Sequence, residues 1–165
     1  LYILGSSTFG AQLAAHLGLP YGFASHFAPE ALTQAVDVYR RGFQPSEQAT
    51  EPWVIVGVNV IVAPTEREAA EELNHATRSR VAALLAPGRK LSDAELDSVM
   101  SSPGGRQVAS MMRYTASGTP DTVKTYLDDF QQHANADELI VVPASRSVEN
   151  RLQSLELLAQ VSRLG

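Results

Sequence analysis

Gly5-Ser6-Ser7-Thr8 interrupts the opening apolar run LYILGSSTFG, and the chain beyond it takes on helical spacing. Small residues at such a strand-to-helix junction leave the first N–H groups of the helix open, and the helix dipole adds positive potential there. Together these favour an anion. Gly5 permits close backbone approach, the hydroxyls of Ser6, Ser7 and Thr8 add donors, and no carboxylate between Leu1 and Pro20 would repel a phosphate. The same residues also read as a turn glycine and an ordinary helix cap, because Ser and Thr are preferred at every helix start. They do not match the glycine fingerprint of a dinucleotide fold or of a P-loop. Phosphate cradle and plain cap both stand as readings of this segment.

Ser25-His26-Phe27 closes a second apolar segment, on the same rim as the first loop if the strands run parallel. That rim carries the site in barrels and open α/β sheets. His26 there can donate or accept a hydrogen bond and titrates near neutral pH, although a loop histidine without a role fits equally well. His16, His75 and His133 fall in helical segments and read as surface, and the four histidines lack metal-ligand spacing, so no metal is expected. Asn59, the odd residue in an apolar strand, needs partners and reads as structural. Met111-Met112-Arg113-Tyr114 reads as packing. The acid-rich stretches Glu66 to Glu72 and Asp128-Asp129 read as solvated helix faces. No Ser-His-Asp order or carboxylate pair stands out.

The elements that must position these residues alternate in type. Tyr2 to Leu4, Tyr21 to Ala24, Trp53 to Ala63 and Glu138 to Val142 read as strands, and WVIVGVNVIVA has the composition of a strand covered on both faces. Helices fill the intervals. Phe9, Leu13 and Leu17 fall on one face of the first, with Gly18 as its C-terminal cap and Pro20 as a stop. Pro29 opens the next, which turns Leu32, Val36 and Tyr39 inward and ends at Gly42. Thr65 and Glu68 form a capping box. Residues 76–117 read as a helical insert broken at Pro87-Gly88 and Pro103-Gly104-Gly105. Val123, Leu127 and Phe130 point inward from the helix after Gly118. Val148, Leu152, Leu155 and Ala159 mark a final amphipathic helix.

This order implies parallel strands with helical crossovers. Four strands are too few for a closed parallel barrel of eight strands and about 250 residues. The chain therefore reads either as a small open doubly wound sheet or as the second half of a (β/α)8 barrel, and its start almost on a strand favours the half-barrel. At 165 residues it is one partial domain, residues 1–165. A net charge of -5 with scattered basic residues argues against nucleic-acid binding. The absence of cysteine excludes disulfides and thiolate chemistry and is compatible with a reducing cytosol. No apolar run approaches the roughly 20 residues of a membrane helix, and no signal peptide is read. A soluble cytoplasmic protein with no membrane partner is expected.

LYILGSSTFGAQLAAHLGLPYGFASHFAP, the later WVIVGVNVIVAPTEREA and SGTPDTVKTYLDDF with ADELIVV resemble, in order, the bacterial luciferase-like flavin-dependent monooxygenases. The resemblance implies a (β/α)8 TIM barrel of which this chain matches the C-terminal half. It implies reduced FMN from a separate flavin reductase, or a deazaflavin in some branches, with O2 and an organic substrate as co-reactants. It places the flavin phosphate on Gly5, Ser6, Ser7 and Thr8, and Ala24, Ser25 and His26 beside the isoalloxazine or the substrate. His26 is the candidate catalytic residue. A non-catalytic flavin-binding or interaction protein derived from the same barrel is the alternative. Half a barrel exposes apolar surface and strand edges, so the chain is expected to be a fragment, a truncated form, or one of two associating half-barrels or a homo-oligomer.

Overall fold

Nine consecutive residues, VIVGVNVIV, form the longest strand, and β-branched side chains on both of its faces explain why it is buried almost throughout. The computed structural model describes residues 1–162, so residues 163–165 of the expected domain lie outside the described residues. In chain order the elements are β1 (Ile3–Gly5), α1 (Thr8–Leu17), β2 (Tyr21–Phe23), a 3-10 turn (Pro29–Ala31), α2 (Leu32–Gly42), β3 (Val54–Val62), α3 (Glu66–Leu85), α4 (Asp93–Ser101), α5 (Pro103–Ser110), β4 (Thr115–Gly118), α6 (Pro120–His133), β5 (Glu138–Pro143) and α7 (Val148–Ser162). They fall into two compact units. Residues 1–58 with 125–142 make the first, and residues 59–124 with the C-terminal segment from Pro143 make the second.

In the first unit β1 pairs in parallel with β2, and β2 with the start of β3, with Gly5 opposite Phe23 and Phe23 opposite Val56. This register sets the ends of β1 and β2 side by side. Tyr21, Phe23, Leu32, Val36 and Tyr39 are fully or almost fully buried, with Tyr21 and Tyr39 in ring contact. The other end of the unit is fastened by Asp137. Its carboxylate accepts the Val54 N–H (2.7 Å) and an Arg40 guanidinium N–H (2.8 Å), while the carbonyl of Asn135 accepts two further N–H groups of Arg40.

In the second unit residues 59–62 of β3 pair in parallel with β4. The hydroxyl of Ser154, buried on α7, accepts the Val62 N–H at 2.7 Å. Glu66, on the first turn of α3, accepts from the Thr119 N–H and from the hydroxyls of Thr119 and Thr122, so it fastens the start of α6. Those bonds hold its carboxyl below the usual glutamate range, that from Thr122 first.

Several expectations change. Residues 115–118, read as the end of a helical insert, are strand β4. The insert itself breaks once at Pro87-Gly88 and once at Ser102, and Pro103 opens α5 instead of ending a helix. Phe9, Leu13 and Leu17 are 73%, 39% and 46% exposed, and the buried face of α1 is Ala11, Ala14 and Ala15. Small side chains there accompany close packing of α1 on α2, where a Cβ on Gly42 would be in ordinary contact, at 3.5 Å, with that of Ala15. On α7 likewise Val148, Leu152 and Leu155 are exposed, and Ser154 and Leu158 are buried. The Thr65 cap is present, its hydroxyl accepting the Glu68 N–H, but the Glu68 carboxylate accepts from that hydroxyl and not from the Thr65 N–H. The complete capping box is Ser92 with Glu95. Leu32, Val36, Tyr39, Val123 and Phe130 are buried as the spacing predicts.

Candidate functional site

Ser7 is the N-cap of α1, in extended conformation (φ −151°, ψ 168°), and its side chain makes no capping bond. Its carbonyl accepts the Tyr21 hydroxyl at 3.0 Å and the Ala11 N–H at 3.4 Å. The backbone of the loop is therefore held from below while the hydroxyls of Ser6 and Ser7, both exposed residues, remain on the open side. The first turn of α1 contains no acidic residue. Open N–H groups, a helix dipole and uncommitted hydroxyls together make a surface for an anion such as a phosphate.

Strand end and helix start pack closely here, since a Cβ on Gly5 would make ordinary van der Waals contact, at 3.4 Å, with the Gly10 Cα and the Tyr21 ring. Tyr21 is fully buried, and burial pushes its phenol up to about 12, so it remains a neutral donor to Ser7 across the physiological range.

The end of β2 joins this loop directly, because the Ala24 N–H donates to the Gly5 carbonyl at 2.9 Å. Beyond it the chain turns sharply, with the N–H groups of Phe27 and Ala28 both bonded to the Ala24 carbonyl. Ser25 is fully buried and donates its hydroxyl to the carbonyl of Gly57 on β3. His26 is half-buried against the same glycine. Gly5, Ser6, Ser7, Thr8, Ala24 and His26 thus share the C-terminal end of β1 and β2, while the hydroxyl of Ser25 is spent on joining β2 to β3.

Two contributors escaped the sequence reading: Tyr21, which holds the loop, and Gly57, which makes room for the His26 ring. A lone glycine in a β-branched strand is a legible signal of close approach. Elsewhere, Asn59 is buried with its amide 3.9 Å from the sulfur of Met112, which also lies 3.1 Å from an Arg80 guanidinium nitrogen. A cleft of about 400 Å³ in the second unit, lined by Glu68, Glu72, His75, Ser145 and Arg146 among others, contains none of the expected site residues. Among the described residues no group of three metal-ligating side chains converges, and no helix is long and apolar enough to cross a membrane.

The model of the luciferase-like monooxygenase family matches residues 1–136. A luciferase-like monooxygenase of Escherichia coli K12 is 32% identical over 98% of this chain and 49% of its own length. An uncharacterized protein of Bacillus subtilis, YddN, is 37% identical over 98% of this chain and 48% of its own length. The solved structure of apo-MsnO8 superposes with a TM-score of 0.80 at 32% identity, covering 100% of this chain and 51% of that one. More distant structures, which share the fold alone, include a riboflavin lyase with a modified FMN and a coenzyme F420-dependent reductase. The chain spans about half the length of the curated relatives it matches. Its parallel βα units are those of half a luciferase-like TIM barrel, which removes the open doubly wound sheet.

Proposed function

The chain belongs to the luciferase-like monooxygenase family, and on that premise we propose that it supplies the flavin-phosphate side of the active site of an FMN-dependent monooxygenase. The observation that carries this reading is the state of Ser7: an N-cap serine whose hydroxyl caps nothing, above open N–H groups in a turn without a carboxylate. The residues present fit a flavin phosphate. Gly5, Ser6, Ser7 and Thr8 would hold it through N–H groups and hydroxyls, and a deazaflavin carrying a phosphate at the same place would use the same donors.

When bound, reduced FMN supplies the two electrons with which O2 is split between an organic substrate and water. The chain's own residues bind, orient and shield. Tyr21 fixes the Ser7 carbonyl, so the loop keeps one conformation for the phosphate. The Ala24 bond to Gly5 sets the end of β2 at a fixed distance from that loop. His26, beyond it, presents an imidazole that can donate or accept a hydrogen bond to the ring or to the substrate. Its place at the strand end, three residues past the register partner of Gly5, supports this role.

The test is a titration of FMN into the full-length protein, followed by flavin fluorescence, and then oxidation of reduced FMN with and without candidate substrates. Binding with substrate-dependent oxygen uptake is expected. No binding would refute the flavin reading, and binding without turnover would favour the non-catalytic alternative.

A further inference from the structure

We propose that Gly57 is a positioning residue of this site: β3 gives up a side chain there so that the imidazole of His26 has a fixed seat. The functional part of this inference rests on the reading of His26 given above. Every other residue of VIVGVNVIV except Asn59 is Val or Ile. A glycine inside such a strand costs backbone entropy and packs nothing, so its presence calls for a contact that excludes a side chain. The imidazole is that contact. A Cβ on Gly57 would stand 2.5 Å from His26 Nδ1, 3.0 Å from Cε1 and 3.7 Å from Cγ. The ring therefore occupies the volume that any other residue at position 57 would claim.

Two further observations point the same way. Ser25 donates its hydroxyl to the Gly57 carbonyl, so two consecutive residues of the β2 loop grip one peptide of β3. Nδ1 of His26 is buried while the residue as a whole keeps partial exposure, which orients the ring with that atom inward. Gly22 of β2 gives the contrast, since a Cβ there would meet nothing closer than 3.4 Å, an ordinary contact. The orientation of His26 is thus set by the adjacent strand as well as by its own loop, and a ligand at the rim meets one ring geometry. A substitution at position 57 acts on the site through His26.

The experiment uses the full-length protein with three variants, Gly57→Ala, His26→Ala and the double variant, followed by thermal melting, imidazole NMR signals and turnover with reduced FMN. The His26 signal is identified by its loss in His26→Ala. Overpacking by one methyl should lower the Tm of Gly57→Ala by about 3–10 °C and shift the His26 ring signals. The double variant should melt no lower than His26→Ala, because the ring that clashes is gone. Turnover should fall by the same factor in Gly57→Ala and His26→Ala, with no further loss in the double variant. Unmoved His26 signals in Gly57→Ala, or additive losses of Tm in the double variant, would overturn the seat. Unchanged turnover in Gly57→Ala with moved signals would overturn the positioning role. A wild-type protein that binds no FMN fails the flavin reading instead, and the melting and ring-signal arms still decide the seat.

Discussion

Replacing Ser7 by Asp separates a phosphate cradle from a helix cap, because the two roles respond in opposite directions. Asp is as good an N-cap as Ser, and a negative charge at a helix start contributes about 0.3–1 kcal/mol. The fold should therefore tolerate Ser7→Asp with an unchanged or slightly higher Tm. A bound phosphate responds differently. A carboxylate about 4 Å from one phosphate charge costs about 1–4 kcal/mol between bulk water and a protein surface, which raises Kd about fivefold to a thousandfold. Ser7→Ala supplies the second arm. Since the Ser7 side chain makes no capping bond, its removal should cost less than the ~1 kcal/mol of an ordinary cap serine. Fluorescence titration of the full-length protein with FMN and with riboflavin is the assay, with circular dichroism as the check on folding. Ser7→Asp should lose FMN and keep riboflavin, which has no phosphate. FMN affinity equal to wild type in a folded Ser7→Asp protein would refute the argument, as would an equal loss of riboflavin.

Three other outcomes are expected. In urea unfolding, Asp137→Ala should cost about 2–4 kcal/mol, because it orphans the N–H of fully buried Val54, and Arg40→Ala only about 1 kcal/mol, because a partly exposed ion pair contributes little. Asp137→Asn, whose amide oxygen can still accept from Val54, should fall between them, and an Arg40→Ala cost as large as that of Asp137→Ala would contradict this ordering. Tyr21, with its phenol pushed up to about 12, contributes stability that is complete below pH 10 and lost as pH rises toward 12. Tyr21→Phe should lower Tm at neutral pH through the lost bond to Ser7 and flatten that alkaline fall, with buried Tyr39 supplying the remainder. Glu66, held below the usual glutamate range by Thr122 and Thr119, contributes stability present at neutral pH and lost as pH falls through its depressed titration. Glu66→Gln should therefore melt below wild type at pH 7, with the gap closing in acid; a gap constant with pH would show that the charge is irrelevant.

The local part of this protein was legible in its residues. A β-branched run specifies β3, the periodicity of α2 and α6 identifies Leu32, Val36, Tyr39, Val123 and Phe130 as buried, and Gly18 stops α1 in the left-handed conformation (φ 61°). The Gly5 to Thr8 loop was legible for the same reason, since strand end, cap and helix start are neighbours in the chain. What failed was whatever depended on a partner. The four residues of β4 carry no strand signature of their own and are strand because residues 59–62 pair with them. The apolar stripes of α1 and α7 suggested buried faces, yet which face is buried depends on how closely a neighbour approaches, and close approach selects alanine and serine over leucine. The Tyr21 bond to Ser7 and the seat of His26 on Gly57 join residues 14 and 31 positions apart. Residue types and short-range spacing determined which elements form and where a strand end meets an open helix start. Only tertiary pairing decided what holds that loop still and where the imidazole beside it rests, because those contacts exist only once the strands lie in register.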